Sequence, residues 1–313
     1  MSNPGQNSGA TPDKREMLER MLRQRGIRPP EGAERIPRRQ ELSPCPLSFG
    51  QERLWFLHQL APDSSLYHVP AAFMLEGELD ETALGSALKR VVERHEALRT
   101  TFDLRDGRLL QFIAPAPSSS LVVVDLSAAP PDERQRRALA LARADATRPF
   151  DLQRGPLLRA LIVRLSPHER LFALTFHHIA CDGWSLGPFT AELAALYAAA
   201  RAGAPDPLPE LPVQYPDYAV WQRRRLDTGA LDAELSYWRQ RLAGACLPLA
   251  LPADRPRAAG RTHAGAVVRR RLGLALSEQV PALARAHAAT TFAVLLAAWQ
   301  ALLWRYTGSE SVV

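Results

Sequence analysis

Two adjacent histidines, an aspartate and a Gly-x-Ser-x-Gly pentad fall within twelve residues, "FHHIACDGWSLG" (176–187). A lone imidazole with a pKa near 6.5 suits moving or orienting a proton at neutral pH. The run "LFALTFHH" reads as a β-strand, so His177 and His178 should point to opposite faces of a sheet. Only one of them can then face a given cleft, and the other belongs to the core. A strand that chelates a metal through two histidines wants His-x-His, so this pair does not predict a metal site. Asp182 and Gly183 sit in the turn after the strand, where a carboxylate held by an arginine could shape the loop that presents one histidine.

Ser185 takes the same test. "GWSLG" lies after a strand and before a helix, as a hydrolase nucleophile elbow requires. Such an elbow needs an acid and then a histidine downstream. The downstream histidines are His263 and His287, the second inside a predicted helix, and no HGGG-type loop precedes the pentad. The pentad alone is a weak signal for a nucleophile.

The elements that must position these residues alternate between periods of two and 3.6. "PLSFGQERLWFLHQL" carries helical spacing through Leu54, Phe56, Leu57 and Leu60. "YHVPAAFMLEGEL" reads as a strand. "DETALGSALKRVVERHEALRTTF" reads as a helix capped by Asp80, with Ala83, Leu84, Ala87, Leu88, Val91 and Val92 on its apolar face. "LLQFIAP" and "SLVVVDLS" are strand-like, and residues 131–148 form a charged, Ala-rich helix. "PLLRALIVRLSPHERLFALTFHH" is a hairpin turning at Ser166–Glu169. "FTAELAALYAAARAG" is a helix ending at Gly203. The class is α/β with a mixed or antiparallel sheet. The Pro-rich run "APDPLPELPVQYPDY" marks a lobe boundary. Helices at "LDAELSYWRQRLAG" and "TTFAVLLAAWQALLWRYTG" and a strand at "GAVVRRRLG" follow it. The chain stops in "SESVV", where a strand looks just begun.

The 313 residues are 46% hydrophobic and 23% charged, enough for one large domain or two smaller ones. No run approaches the roughly 18 apolar residues of a membrane span. The N-terminus lacks the apolar region of a secretory signal. Cys45, Cys181 and Cys246 are far apart and read as reduced thiols in the cytoplasm. The net charge is +6, of which residues 1–40, with nine Lys/Arg and five Asp/Glu, supply +4. The body is therefore almost neutral and has no basic and aromatic track for nucleic acid. Residues 1–44 are expected to be a disordered stretch, a short helix with Met17, Leu18, Met21 and Leu22 on one face, and a Pro-rich linker. They could serve as a solvated lead-in or a docking segment.

"FHHIACDGWS" resembles the HHxxxDG motif of the condensation domains of nonribosomal peptide synthetases. "LSFGQERLWFL" (47–57), "RHEALRTTF" (94–102) and "YPDYAVWQ" (215–222) resemble that family's first, second and fourth motifs, in the same order. The resemblance implies a chloramphenicol-acetyltransferase-like N-terminal lobe over 45–222 and the beginning of a second similar lobe over 223–313. The family's later motifs would lie past Val313. It also implies an acyltransferase. Donor acyl or peptidyl and acceptor aminoacyl thioesters arrive on the phosphopantetheine arms of upstream and downstream peptidyl carrier proteins, beside an adenylation domain. The acceptor amine attacks the donor thioester, with no covalently bound cofactor and no metal.

By the same resemblance His178 is the catalytic histidine, acting as general base or by orienting the amine. His177, Asp182, Gly183 and Arg94 shape the site, with Arg94 as the partner of Asp182. Gln51, Arg53, Arg99, Trp184, Ser185, Tyr215 and Trp221 support the motifs. Phe176 and Cys181 stand where the family usually has methionine and serine, and Cys181 would be an accessible thiol near the tunnel. Heterocyclising members replace the histidine pair with aspartates, and epimerising members usually lack the Trp-Ser found here. Amide-forming condensation is therefore the favoured subtype. A carrier-binding or recruitment module without catalysis is the alternative, with an epimerisation domain or a serine hydrolase behind it.

Overall fold

The computed structural model describes residues 35–40, 44–115, 121–245, 249–253 and 266–312. The short helix expected over 13–26 and Cys246 lie outside them. The chain divides into two compact units, Met1–Arg224 and Arg225–Val313.

In the first unit, β1 (Cys45–Pro46) leads into α1 (Phe49–Leu60). Ser48 and Gln51 cap that helix reciprocally, each side chain accepting from the other's backbone N–H. Then come β2 (His68–Glu76), α2 (Glu81–Arg94), a 3-10 turn (Glu96–Arg99), β3 (Thr100–Arg105), β4 (Arg108–Ile113) and β5 (Leu121–Asp125). They are followed by α3 (Pro131–Thr147), β6 (Leu158–Arg164), β7 (Glu169–His177), α4 (Leu186–Ala202) and α5 (Tyr215–Asp227), the last running across the division.

The main sheet has the order β2-β7-β6-β5. β7 is antiparallel to both its neighbours, and β5 lies parallel to β6, so of the mixed or antiparallel sheet expected, the mixed form is found. β6 and β7 are buried on both faces, which is why they read as nearly continuous apolar runs. Alternate residues sort cleanly. Leu158, Ala160, Ile162, Phe172, Leu174 and Phe176 pack with α2 and α4. Leu161, Val163, Leu171 and Ala173 pack with Ala138 of α3. The six apolar positions expected on α2 are all buried, and the Asp80 side chain accepts from the N–H of Ala83 at 2.9 Å. Gly203 ends α4 in the left-handed conformation.

Some expectations fail. The α2 helix stops at Arg94 rather than continuing to Phe102, and residues 100–105 turn back as β3 against β4. The hairpin between them is closed by Asp106 and Gly107, both at positive φ, an Asp-Gly signal for a tight turn. On α1, Phe56 and Leu60 are exposed instead of forming an inner face.

The second unit holds α6 (Asp232–Leu242), α7 (Leu274–Ala286) and α8 (Thr291–Thr307). Residues 266–273, expected as a strand, are irregular and exposed, and no strand among the described residues pairs with their backbone. No single helix among the described residues is long and apolar enough to cross a membrane.

Candidate active site

β7 delivers the histidine pair, and its alternation separates their roles. Phe176 goes to the α2–α4 face, and His177 turns into the opposite side with 2% of its surface exposed. The His177 ring meets Phe150 (centroids 5.7 Å apart), His58 (5.8 Å) and His68 (6.1 Å) edge-on. Its Nδ1 accepts the N–H of Ile179 at 3.1 Å, so the neutral ring carries its proton on Nε2. Burial, reinforced by the neighbouring imidazoles of His58, His68 and His178, pushes its pKa down to about 3. His177 is thus a neutral packing group at pH 7. Burial also lowers the pKa values of His58 and His68. The three rings do not form a metal site, and no cluster among the described residues does. His178 is exposed. Its backbone N–H donates to the carbonyl of Tyr67 at 2.8 Å, which prolongs the β2–β7 pairing by one residue and fixes where its ring emerges.

The loop after His178 is held by its own side chains. Asp182 Oδ1 accepts the N–H of Ser185 at 2.9 Å and its hydroxyl at 2.6 Å, while Ser185 Oγ accepts the N–H of Asp182 at 3.2 Å. These bonds from Ser185 hold the Asp182 carboxyl below its ordinary pKa. Arg94 does not meet Asp182 as expected. Its Nε donates to Glu192 Oε1 on α4 at 3.3 Å, and Glu192 Oε2 lies 2.6 Å from His95 Nε2. Arg94 ends α2 beside α4, whereas the donors nearest Asp182 are three residues along its own loop.

One further expectation changes. Cys181 is 5% exposed and burial pushes its thiol up to about 11, so it is not an accessible nucleophile. Gly183 has no neighbour within 4 Å of where a Cβ would stand, so crowding does not require glycine there. Ser185 has ordinary helical backbone angles (φ −63°, ψ −27°), unlike a strained nucleophile elbow, and its hydroxyl points to a carboxylate. Trp184 is 90% exposed.

The first and fourth motifs meet beside this loop. Ser48 Oγ lies 3.0 Å from Tyr215 Oη, and the N–H of Phe49 donates to Gln222 at 3.0 Å. Gln51 is buried in the cap, whereas Arg53 is exposed. Arg99 donates to the carbonyls of Glu93 and Ala114, pinning the 3-10 turn. Trp221 packs near Tyr218, ring centroids 5.9 Å apart. A cavity of about 260 Å³ lies here, lined by His95, Leu98, Cys181, Ser185, Phe189 and Tyr215 among others.

One buried network is not legible in the sequence. Arg39 Nη1 donates to Asp217 at 2.6 Å and its Nη2 to Glu96 at 2.7 Å. The side-chain exposures are 5%, 3% and 14%. Arg39 is therefore docked rather than part of a solvated linker. The adjacent arginines after Ile36-Pro37 are the available signal, but a charge pair in a Pro-rich run reads as solvent-facing.

The family described as Condensation domain matches residues 42–313. A polypeptide of the linear gramicidin synthase of Brevibacillus parabrevis is 48% identical over 89% of this chain, which corresponds to 4% of that protein. Phosphinothricin tripeptide synthetase PhsC of Streptomyces viridochromogenes is 42% identical over 97% of the chain and 28% of its own length. The chain thus spans a small part of these relatives. Among solved structures, the X-domain from teicoplanin biosynthesis superposes with a TM-score of 0.75 at 30% identity, covering 87% of this chain and 60% of that one. The SgcC5 protein from Streptomyces globisporus gives a TM-score of 0.66 at 33% identity, over 85% and 61%. The four motifs, the mixed sheet whose β7 carries the histidine pair and these matches agree: the chain belongs to the condensation-domain family.

Proposed function

We propose that this chain takes part in amide-bond formation between a donor acyl or peptidyl thioester and an acceptor aminoacyl thioester. Both are presented on phosphopantetheine arms of carrier proteins in a nonribosomal peptide synthetase, with an adenylation domain supplying the acceptor's loading. The second unit belongs to the second lobe of that machinery. The observation that carries this reading is the division of labour in the histidine pair. His177 is buried and neutral, and His178 is exposed at the strand end, with its backbone fixed by Tyr67.

In the reaction the acceptor nitrogen attacks the donor carbonyl carbon. The new C–N bond forms as the C–S bond breaks, and the proton lost by the amine ends on the departing thiol. A thioester is already activated, so holding two reactants in line supplies much of the rate, roughly 7–11 kcal/mol in favourable systems. His178 either carries that proton or hydrogen-bonds the amine into line, and the exposed imidazole suits both. Asp182 and Ser185 keep the loop in shape.

The test loads two carrier proteins, one with a donor and one with an acceptor aminoacyl group, and adds the whole polypeptide in which this chain occurs. Intact-mass analysis should find the dipeptidyl group on the acceptor carrier. Persistence of both starting thioesters would refute the reading.

A second reading is a recruitment module. It is favoured by the likeness to the teicoplanin X-domain, which has been solved in complex with OxyB (TM-score 0.75). In that case His178→Ala leaves partner binding unchanged and no amide forms with either protein.

A further inference from the structure

We propose that Arg39 is a positioning residue, a clamp that holds one wall of the cavity beside the histidine loop and so couples the segment ahead of the domain to that loop. This inference stands apart from the proposed activity.

The cavity walls come from separate parts of the chain. One side is the histidine loop itself with the start of α4, including Cys181, Ser185 and Phe189. The opposite side is built from two short pieces distant in sequence: His95 and Leu98, at the entry to and within the 3-10 turn, and Tyr215 at the start of α5. Neither piece is a strand, so no sheet pairing joins them. Gln214 bridges them, its Oε1 accepting the N–H of Glu96 at 3.1 Å and its Nε2 donating to the carbonyl of Arg94 at 2.9 Å. Asp217 in turn sets Gln214, accepting its N–H at 2.8 Å. Arg39 closes the set from outside. One planar guanidinium donates to Glu96 on one piece and to Asp217 on the other, and the backbone N–H of Arg39 also donates to Asp217.

The chemistry makes this junction dependent on arginine. Glu96 and Asp217 are two carboxylates with little exposure that share one buried cation. Without it Asp217 and Glu96 face each other as poorly solvated carboxylates, with Arg99 3.9 Å from Glu96, and the Gln214 bridge is left to hold the two pieces against their repulsion. Lysine carries the charge but not the fork that serves two acceptors at once. Arg38, next to it, grips the carbonyls of Leu211 and Pro212 and the carboxylate of Glu210. That grip is at the surface, where both partners of the ion pair are mostly exposed, so it supplies a matched control.

Cys181 reports the state of the wall, because it lines the cavity and is 5% exposed when the wall is in place. The experiment labels the native chain with iodoacetamide at about pH 8.5, where thiolates begin to form. Peptide mapping reads Cys181 separately from Cys45 and Cys246, and hydrogen exchange follows the β6 and β7 amides. Arg39→Met should raise the Cys181 labelling rate about tenfold or more while the β6–β7 amides keep their protection, the signature of local opening. Arg39→Lys should fall between Arg39→Met and the parent, and Arg38→Ala should match the parent. If Arg39→Met does not fold, Asp217→Asn decides instead. It removes one carboxylate from the junction and should raise Cys181 labelling in the same selective way. Labelling of Cys181 equal to the parent would overturn the proposal. So would loss of β6–β7 protection in step with it, or an equal effect from Arg38→Ala.

Discussion

Asp182 and Ser185 hold each other across the loop that follows His178, through two bonds to Asp182 Oδ1 at 2.9 and 2.6 Å and one returned at 3.2 Å. The loop's shape is therefore local, and no arginine is needed to set it. Asp182→Ala and Ser185→Ala should each cost about 1 kcal/mol of stability, the worth of one or two partly exposed hydrogen bonds. The double variant should cost little more than either single one. Asp182→Ala combined with Arg94→Ala should instead be additive, because those residues share no partner. Urea melts of the three single variants, the two double variants and the parent check both statements.

Arg94 and Glu192 tie the end of α2 to α4, with side-chain exposures of 12% and 16%. Removing either leaves the other charge poorly solvated. Arg94→Ala and Glu192→Ala should each destabilise by about 2–4 kcal/mol, and the pair together by much less than the sum. Equal, additive and sub-kcal losses in thermal melts would place this pair among ordinary surface bridges.

His177 predicts a direction for pH. Its folded pKa of about 3 lies below the unfolded value near 6.5, so the folded state resists binding a proton that the unfolded state takes up. The stability it confers is present above pH 6.5 and is lost as pH falls from there toward 3. A single such site costs up to about 1.4 kcal/mol per pH unit in that window. His58 and His68, also lowered by burial, add to the slope. His177→Asn should flatten the slope between about pH 6 and 4 relative to the parent, measured by urea midpoints at stepped pH. An unchanged slope would remove His177 from the account.

α8 exposes Phe292, Leu295, Leu296, Trp299, Leu302 and Trp304, with Phe292 72% and Trp299 57% accessible. An apolar stripe of that extent drives association in water. The chain of residues 1–313 should self-associate in sedimentation velocity at micromolar concentration. Phe292→Ser with Trp299→Ser should shift it toward monomer. A parent that stays monomeric throughout would contradict this.

Much of the fold is legible in the sequence because period and burial coincide in it. Leu84, Leu88 and Val91 on α2, and the continuous apolar runs of β6 and β7, announce their surroundings residue by residue. The division between His177 and His178 is legible for the same reason, since strand alternation allows only one of them to face out. What stays hidden depends on contacts between distant segments. Nothing near Arg39 in the chain reveals Glu96 or Asp217, which are 57 and 178 positions away. The family resemblance assigns Arg94 to Asp182, yet Glu192 lies across the helix pair and captures it. The end of α2 at Arg94 is hidden because the residues past it, "HEALR", keep good helix propensity. The backbone instead tightens into a 3-10 turn whose carbonyl at Glu96 receives the Thr100 hydroxyl.

The central claim concerns His178, and the most direct measurement is single-turnover amide formation. Two carrier proteins bearing aminoacyl thioesters are mixed with the whole polypeptide that contains this chain, and the dipeptidyl product is followed by quenched-flow mass analysis. The account predicts that His178→Ala slows this step by a factor of about 100 or more, the scale of a lost acid–base or positioning group, with the melting temperature unchanged. A rate for His178→Ala equal to the parent's would contradict it.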